Sequence, residues 1–281
     1  MKLRSGGVYC WLDMDKFSKN GQVLPIEQAV HSVLSVEFTY GFGVYESIRV
    51  KQRSPRFVAQ HIDRLLASAK TIRLGHELDT KSISEAVQGL IDAIDKDTYN
   101  LKVLLIGGRT DKDSTLYILP LNPSFPDRKQ YRVGATAITI DYERYLPDVK
   151  SLNMLPSYLA YRDAKEQGAY DALLVNRHGD ITEGTRTNFF ALDGMTIITP
   201  PLEHALEGVT RQNVMKVAKD NGFGLVEQPI KAGDLDTNLS YFITSTSTKI
   251  MPLRMIDKQE LIISDDLRRL MALFNKFLAD N

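Results

Sequence analysis

Apolar and polar positions follow two rhythms along the chain, and each rhythm predicts an element. Residues 8–12 and 22–26 read as short strands around a polar turn at 16–21. The stretch 37–50 ends in an alternating half rich in β-branched and aromatic residues, which predicts a strand. Gly41 and Gly43 just before it point to a tight bend or a close backbone approach. From Gln60 to Ala69 the period lengthens to that of a helix, with Ile62, Leu65, Leu66 and Ala69 on one face. Ser82 with Glu85 reads as a capping box that starts a second helix, running to Ile94. Strands follow at 101–106 and 115–121.

Residues 122–129 are polar with two prolines, which marks a domain boundary. The fold class expected is α/β (α+β), with a small N-terminal domain at 1–122, a linker at 123–131 and a larger strand-rich domain at 132–281. In the second domain strands are expected at 133–140, 172–175, 188–192, 196–199, 224–228 and 241–244. Helices are expected at 157–166, 210–221 and, capped by Ser264, 265–279.

Composition narrows this picture. Hydrophobic residues make up 43% and charged residues 25%, enough for a full core and against global disorder. The formal net charge is +0, so bulk electrostatics gives no case for nucleic acid or an anionic membrane. Cys10 is the one cysteine, which excludes an intrachain disulfide framework or a multi-cysteine metal site and favours a reducing compartment. The apolar run at 8–12 is too short for a signal peptide, and no stretch approaches a membrane span. A soluble cytoplasmic protein is the expectation.

The chemistry centres on Lys150, read as lying at the end of a β segment, with a Glu-Gly-Thr turn at 183–185 ahead of a further strand. Six motifs keep it company in order: Gly-Phe-Gly-Val-Tyr-Glu at 41–46, His-Ile-Asp-Arg-Leu at 61–65, Lys-Ser-Leu-Asn at 150–153, Thr-Glu-Gly-Thr…Asn-Phe-Phe at 182–190, Leu-Glu-Gly-Val-Thr-Arg at 206–211 and Thr-Ser-Thr…Pro at 244–252. Over residues 35–253 this order resembles class IV aminotransferases. That family holds branched-chain and D-amino acid aminotransferases, (R)-selective amine transaminases and aminodeoxychorismate lyase.

The resemblance implies the two-domain fold type IV architecture and pyridoxal 5'-phosphate as cofactor. It implies that Lys150 is the Schiff-base lysine and proton shuttle, that Glu183 pairs with the pyridine nitrogen and that Arg64 binds the phosphate. Leu206 would pack on the ring, the N–H groups of Val209 and Thr210 would face the phosphate, and Thr246 would add a hydroxyl to it. Ser247 would lie beside the substrate carboxylate. Tyr40, Tyr45 and Arg49 match the branched-chain pattern, whereas Met154 and Leu155 look more like the D-amino acid enzymes. Arg186 stands where the family often has a small polar residue, and a bidentate contact with the substrate carboxylate is expected of it. Lys249 replaces an acid usual in the family. The implied activity moves an amino group between a branched-chain L- or D-amino acid and a 2-oxo acid such as 2-oxoglutarate by ping-pong half-reactions. The alternatives are a lyase releasing pyruvate and an (R)-selective amine transaminase. The resemblance also implies a homodimer in which residues 35–42 line the partner's site. No metal is expected.

Overall fold

The computed structural model describes residues 14–35, 39–122 and 125–280. The strand expected at 8–12 and Cys10 lie outside the described residues, as do positions 36–38 of the expected partner-facing loop. The chain divides into two compact units. One comprises Met1–Ser124 with Val149–Asn153, and the other Phe125–Asp148 with Met154–Asn281. Lys150 is therefore part of the first unit.

The first unit is an antiparallel sheet with two helices. Its strands are β1 (Lys16–Lys19), β2 (Gln22–Pro25), β3 (Gly43–Lys51), β4 (Ser54–Pro55), β5 (Thr98–Ile106) and β6 (Thr115–Leu121), in the order β2-β1-β6-β5-β3-β4. Residues 16–19, expected in a polar turn, form β1, and Phe17 is fully buried. The turn is shorter than expected because Asn20 and Gly21 both take positive φ, the pairing that a two-residue hairpin loop requires. Helix α1 (Val58–Thr71) buries Ile62, Leu65 and Ala69 as expected, with His61 and Ser68 beside them, while Leu66 is only half-buried. Helix α2 (Thr80–Ala93) starts before Ser82. Asp79 is its cap and accepts the Ser82 N–H at 2.7 Å, so Ser82 is the third helical residue and Glu85 lies outside the box. Asp79 offers an ionised acceptor to the helix start, which a serine hydroxyl does not.

In the second unit helix α3 (Arg128–Val133) begins inside the segment expected as linker, capped by Asp127 and ended by Gly134 at φ +91. The strands are β7 (Ala135–Asp141), β8 (Asp171–Val175), β9 (Asp180–Gly184), β10 (Asn188–Asp193), β11 (Thr196–Thr199), β12 (Gly224–Glu227), β13 (Ile230–Lys231), β14 (Ser240–Ser245), β15 (Lys249–Ile256) and β16 (Gln259–Glu260). The main path runs β12-β11-β10-β14-β15-β7-β8-β9-β13. A further pairing, Asn188 with Glu183, joins β9 back to β10 and closes six strands into a ring. Ala137, Leu173, Val175, Ile181, Phe189, Ile243 and Met251 belong to the cluster that fills it. On the outer face Ala172 and Leu174 pack with Ala160 and Ala164 of helix α4 (Leu155–Glu166). Helices α5 (Val209–Asp220) and α6 (Asp265–Asp280) complete the unit, the latter capped by Ser264 as expected. Among the described residues no helix is long and apolar enough to cross a membrane.

Candidate active site

Strand β3 sorts the first unit's chemistry onto two faces. Val44, Glu46, Ile48 and Val50 alternate onto the buried, helix-covered face. Tyr45, Ser47 and Arg49 take the other. Residues 149–153 lie along the edge of β3 rather than at the end of a strand. Lys150 C=O accepts the Tyr45 N–H at 2.9 Å, Leu152 N–H donates to Gly43 C=O at 2.9 Å, and Ser151 bridges to Val44. The expected strand end is thus corrected: β7 stops at Asp141, and Lys150 is held by pairing with a strand a hundred residues upstream. The Lys150 N–H is further fixed to Ser68 Oγ of α1 at 3.2 Å. Gly43 is required here because a Cβ would meet Leu152 Cδ1 at 2.7 Å, and Gly41 bends with φ +63. Both glycine readings from sequence hold.

This register puts the Lys150 side chain on the Tyr45 face, with Nζ 4.5 Å from the ring centroid. Lys102, opposite Ser47 on β5, brings a second ammonium to 5.0 Å from the same ring. Burial and the charge of Lys150 both push the Lys102 pKa down. Arg49 stands farther along the same face, opposite Asn100. Tyr40 is 77% exposed and lines an open groove with Leu34, Thr39, Phe42, Gly108 and Arg109. Lys102 and Arg109 carried no motif in the sequence.

Arg64 emerges from α1 toward Glu46 on the helix-covered side. Its Nε donates to Glu46 Oε1 at 2.6 Å and an Nη donates to Oε2 at 2.9 Å. His61 Nδ1 lies 2.7 Å from Oε2, and since a carboxylate only accepts, that nitrogen carries the hydrogen. Burial alone would raise the Glu46 pKa, but Arg64 and His61 hold it far below the usual carboxylate range. Glu46 is thereby the clamp that orients Arg64, a partnership the motif reading did not contain.

In the second unit Glu183 is re-aimed by a bulge. Leu174 pairs with Glu183 and Val175 with Ile181, leaving Thr182 over. Ile181 joins the ring interior, and the extra residue turns Glu183 to the face of Leu174 and Asn188. The carboxylate is 5% exposed. It receives Arg144 Nη1 at 2.7 Å and the Leu206 N–H at 3.2 Å. Arg144 also donates to Pro147 C=O at 3.0 Å, which sets its guanidinium. Behind Glu183 the buried Asp171 accepts the hydroxyls of Thr185 and Thr187 and pins the turn. Gly184 lets those groups approach, because a Cβ there would collide with Thr187 Oγ1 and Asp171 Oδ2.

Two further loops complete this half. Asn188 Nδ2 donates to Leu206 C=O at 2.7 Å, and any Cβ on Gly208 would collide with Asn188 Oδ1. Gly208 is the cap of α5 and has no side chain of its own to bond the helix start. Thr210 lies inside the helix and does not cap it, so the leading N–H groups of Val209 and Thr210 are laid out as an anion site is. Thr246 and Ser247 occupy the turn at 246–248 between β14 and β15. The turn is pinned by Thr248, which is buried and bonded to Tyr170 and Tyr131. Arg186 is exposed, with its guanidinium carbon 3.7 Å from the centroid of Tyr161. Sequence reasoning missed Arg144, Asp171, Tyr131 and Tyr170, whose partners lie far off in the chain.

The residues present fit pyridoxal phosphate. Glu183 accepts two hydrogen bonds among the described residues, and an ionised carboxylate has about four acceptor sites, leaving capacity for a ring N–H. The start of α5 suits a phosphate, and Lys150 offers an amine. Among the described residues no group of three or more His, Cys, Asp or Glu could hold a metal ion.

Comparison with known proteins agrees. A putative branched-chain-amino-acid aminotransferase of Methanocaldococcus jannaschii is 32% identical over 258 residues, spanning 86% of this chain and 88% of the relative. A D-alanine aminotransferase of Bacillus licheniformis is 28% identical over 252 residues, spanning 85% and 88%. The crystal structure of a branched-chain aminotransferase from Thermoproteus uzoniensis with norvaline superposes with a TM-score of 0.85 at 25% identity, covering 94% of this chain and 95% of that one. The model of the class IV amino-transferase family matches residues 43–256, and the chain belongs to that family.

Proposed function

We propose that this aminotransferase moves an amino group between an α-amino acid and a 2-oxo acid in ping-pong half-reactions, with pyridoxal phosphate held on Lys150. The observation that carries the reading is the buried setting of Glu183, bonded by Arg144 and the Leu206 N–H. When bound, the cofactor supplies an aldehyde for the amine and a ring that accepts electrons. Glu183 keeps the ring nitrogen protonated. Arg64, aimed by Glu46, and the α5 start with Thr246 take the phosphate, and Leu206 packs on the ring. Lys150 Nζ would take the Cα proton and hand it two atoms along, to the carbon on the far side of the nitrogen.

On the substrate side the reading assigns Tyr40, Tyr45, Arg49 and Ser247. The cations Lys102 and Arg49 on the Lys150 face support a dicarboxylate acceptor such as 2-oxoglutarate, because a second carboxylate needs a second cation. A homodimer is part of the proposal. Leu34, 85% exposed, and Tyr40 beside the groove are large apolar side chains of the kind an interface covers.

The test is spectroscopic. Protein mixed with pyridoxal phosphate should gain a visible band, and borohydride should fix the label on the peptide carrying Lys150. Lys150→Ala should lose both, with turnover lower by roughly 10³-fold or more, since a positioned proton-transfer group and a covalent attachment are removed together. L-leucine, D-alanine and (R)-1-phenylethylamine are then offered with 2-oxoglutarate. Conversion of the cofactor to its amine form by neither amino acid would overturn the assignment.

A further inference from the structure

Arg186 belongs to a continuous stack within the second unit. Its guanidinium lies on Tyr161 of α4 at 3.7 Å. One helical turn on, Lys165 Nζ sits 5.0 Å from the Tyr161 ring and 4.8 Å from the Tyr170 ring. The same ammonium donates to Ala169 C=O at 3.1 Å and to Tyr170 C=O at 2.6 Å, locking the segment that leads into β8. The Tyr170 hydroxyl then meets Thr248 Oγ1 at 2.9 Å. Thr248 is 3% exposed; Tyr131 OH donates to its C=O at 2.9 Å, and its N–H donates to Ser245 Oγ at 3.1 Å. The stack therefore joins the turn that follows Glu183 to the turn that presents Thr246 and Ser247.

The geometry points to Arg186 as a positioning residue: through Tyr161, Lys165 and Tyr170 it sets the 246–248 turn, in place of a direct contact with the substrate carboxylate. A guanidinium 3.7 Å from a ring centroid is engaged with that ring, and the cation–π contact is what an arginine gains there over a small polar residue. Tyr161 and Lys165 face each other because they are four apart on one helix. The inference rests on the proposed assignment of Thr246 and Ser247 to cofactor and substrate.

Three variants test it. Arg186→Met removes the cation and keeps the stem, Arg186→Lys keeps a cation over Tyr161, and Tyr170→Phe removes only the hydroxyl that holds Thr248. The first readout is amide hydrogen exchange at 245–249 in the protein without cofactor, which is independent of the proposed activity. Exchange there should quicken roughly three- to tenfold in Arg186→Met and in Tyr170→Phe, as the loss of a cation–π contact or one hydrogen bond implies. Arg186→Lys should restore most of the protection. The double variant should be no worse than Tyr170→Phe alone, because both act on one chain of contacts.

The second readout is KM. Because Ser247 in that turn is assigned to the substrate carboxylate, the ratio of KM for an amino acid to KM for a primary amine without a carboxylate should rise alike in Arg186→Met and Tyr170→Phe. Additive effects, or unchanged exchange at 245–249, would overturn the proposal. A rise in that ratio in Arg186→Met with none in Tyr170→Phe would overturn it too, in favour of a carboxylate ligand. If pyridoxal phosphate fails to label Lys150 in the wild-type protein, the functional assignment fails, while the exchange result still decides whether the stack holds the turn.

Discussion

Each unit of the molecule contains a buried glutamate paired with an arginine, and the two pairs are built differently. Glu46 accepts from Arg64 twice, from His61 and from the Ser47 N–H, with both oxygens used. Glu183 accepts from Arg144 and the Leu206 N–H, once at each oxygen. A saturated carboxylate fixes structure; a half-occupied one at a strand end can meet a ligand. The same residue pair thus positions an arginine in one unit and presents a carboxylate in the other.

The sharpest way to break this contrast is to remove each charge while keeping the shape. Glu183→Gln should lower kcat/KM by roughly 10²- to 10³-fold, the range seen when one group aimed at developing charge is lost. Its denaturant midpoint should fall less than that of Glu46→Gln, because the Arg144 side chain it leaves unpaired is 20% exposed against 13% for Arg64. A variant of near-normal activity would end the assignment of Glu183 to the ring nitrogen.

Glu46→Gln should act chiefly on stability, costing about 3–5 kcal/mol in urea unfolding, because it leaves the half-buried Arg64 guanidinium without its carboxylate. The pH dependence follows from the sign. The folded pKa of Glu46 lies below the unfolded value, so its contribution is complete above the unfolded carboxyl pKa and is lost as pH falls toward the folded one. Wild type and Glu46→Gln should converge in stability on acidification. Parallel curves would show that the Glu46 cluster does not hold the unit together.

The two halves also differ in how far the sequence reveals them. Glu183, Gly208 and the Thr246 turn are each carried by a few consecutive residues, so local motifs locate them. Arg144 is invisible to the same reading because its partner is 39 residues away. The Thr182 bulge, which aims Glu183, leaves no mark on the alternation of a five-residue strand. Strand β15 is absent from the expected elements, and it carries Pro252 within it. Pro252 is tolerated because β7 pairs with β15 only from Leu253 onward, so its missing N–H leaves that ladder intact. In the first unit the Asn20-Gly21 turn was readable, but four-residue β1 with one aromatic gave too short a period to separate strand from turn.

A smaller effect probes the support behind Glu183. Asp171→Asn replaces an acceptor for two threonine hydroxyls by an amide with one acceptor oxygen. The cost should be about 1–3 kcal/mol, the usual penalty for a buried hydrogen bond left unmade. Activity should fall with it, since the turn at 184–187 starts at the end of β9. Full activity in a destabilised variant would mean that Glu183 is aimed by Arg144 and the bulge alone.

The smallest expected effect concerns the cations of the first unit. Lys102 shares the Tyr45 ring with Lys150, and burial with that like charge depresses its pKa. For a lysine the sign is opposite to that of Glu46. Carrying the proton in the folded state is the unfavourable part, so the penalty is full at neutral pH and below, and is relieved as pH rises from the folded toward the unfolded pKa. Lys102→Met keeps the apolar stem and removes the charge. It should be slightly more stable than wild type at neutral pH, with the advantage fading in alkaline solution. A difference in unfolding free energy that stays constant with pH would show that the two ammoniums do not feel each other.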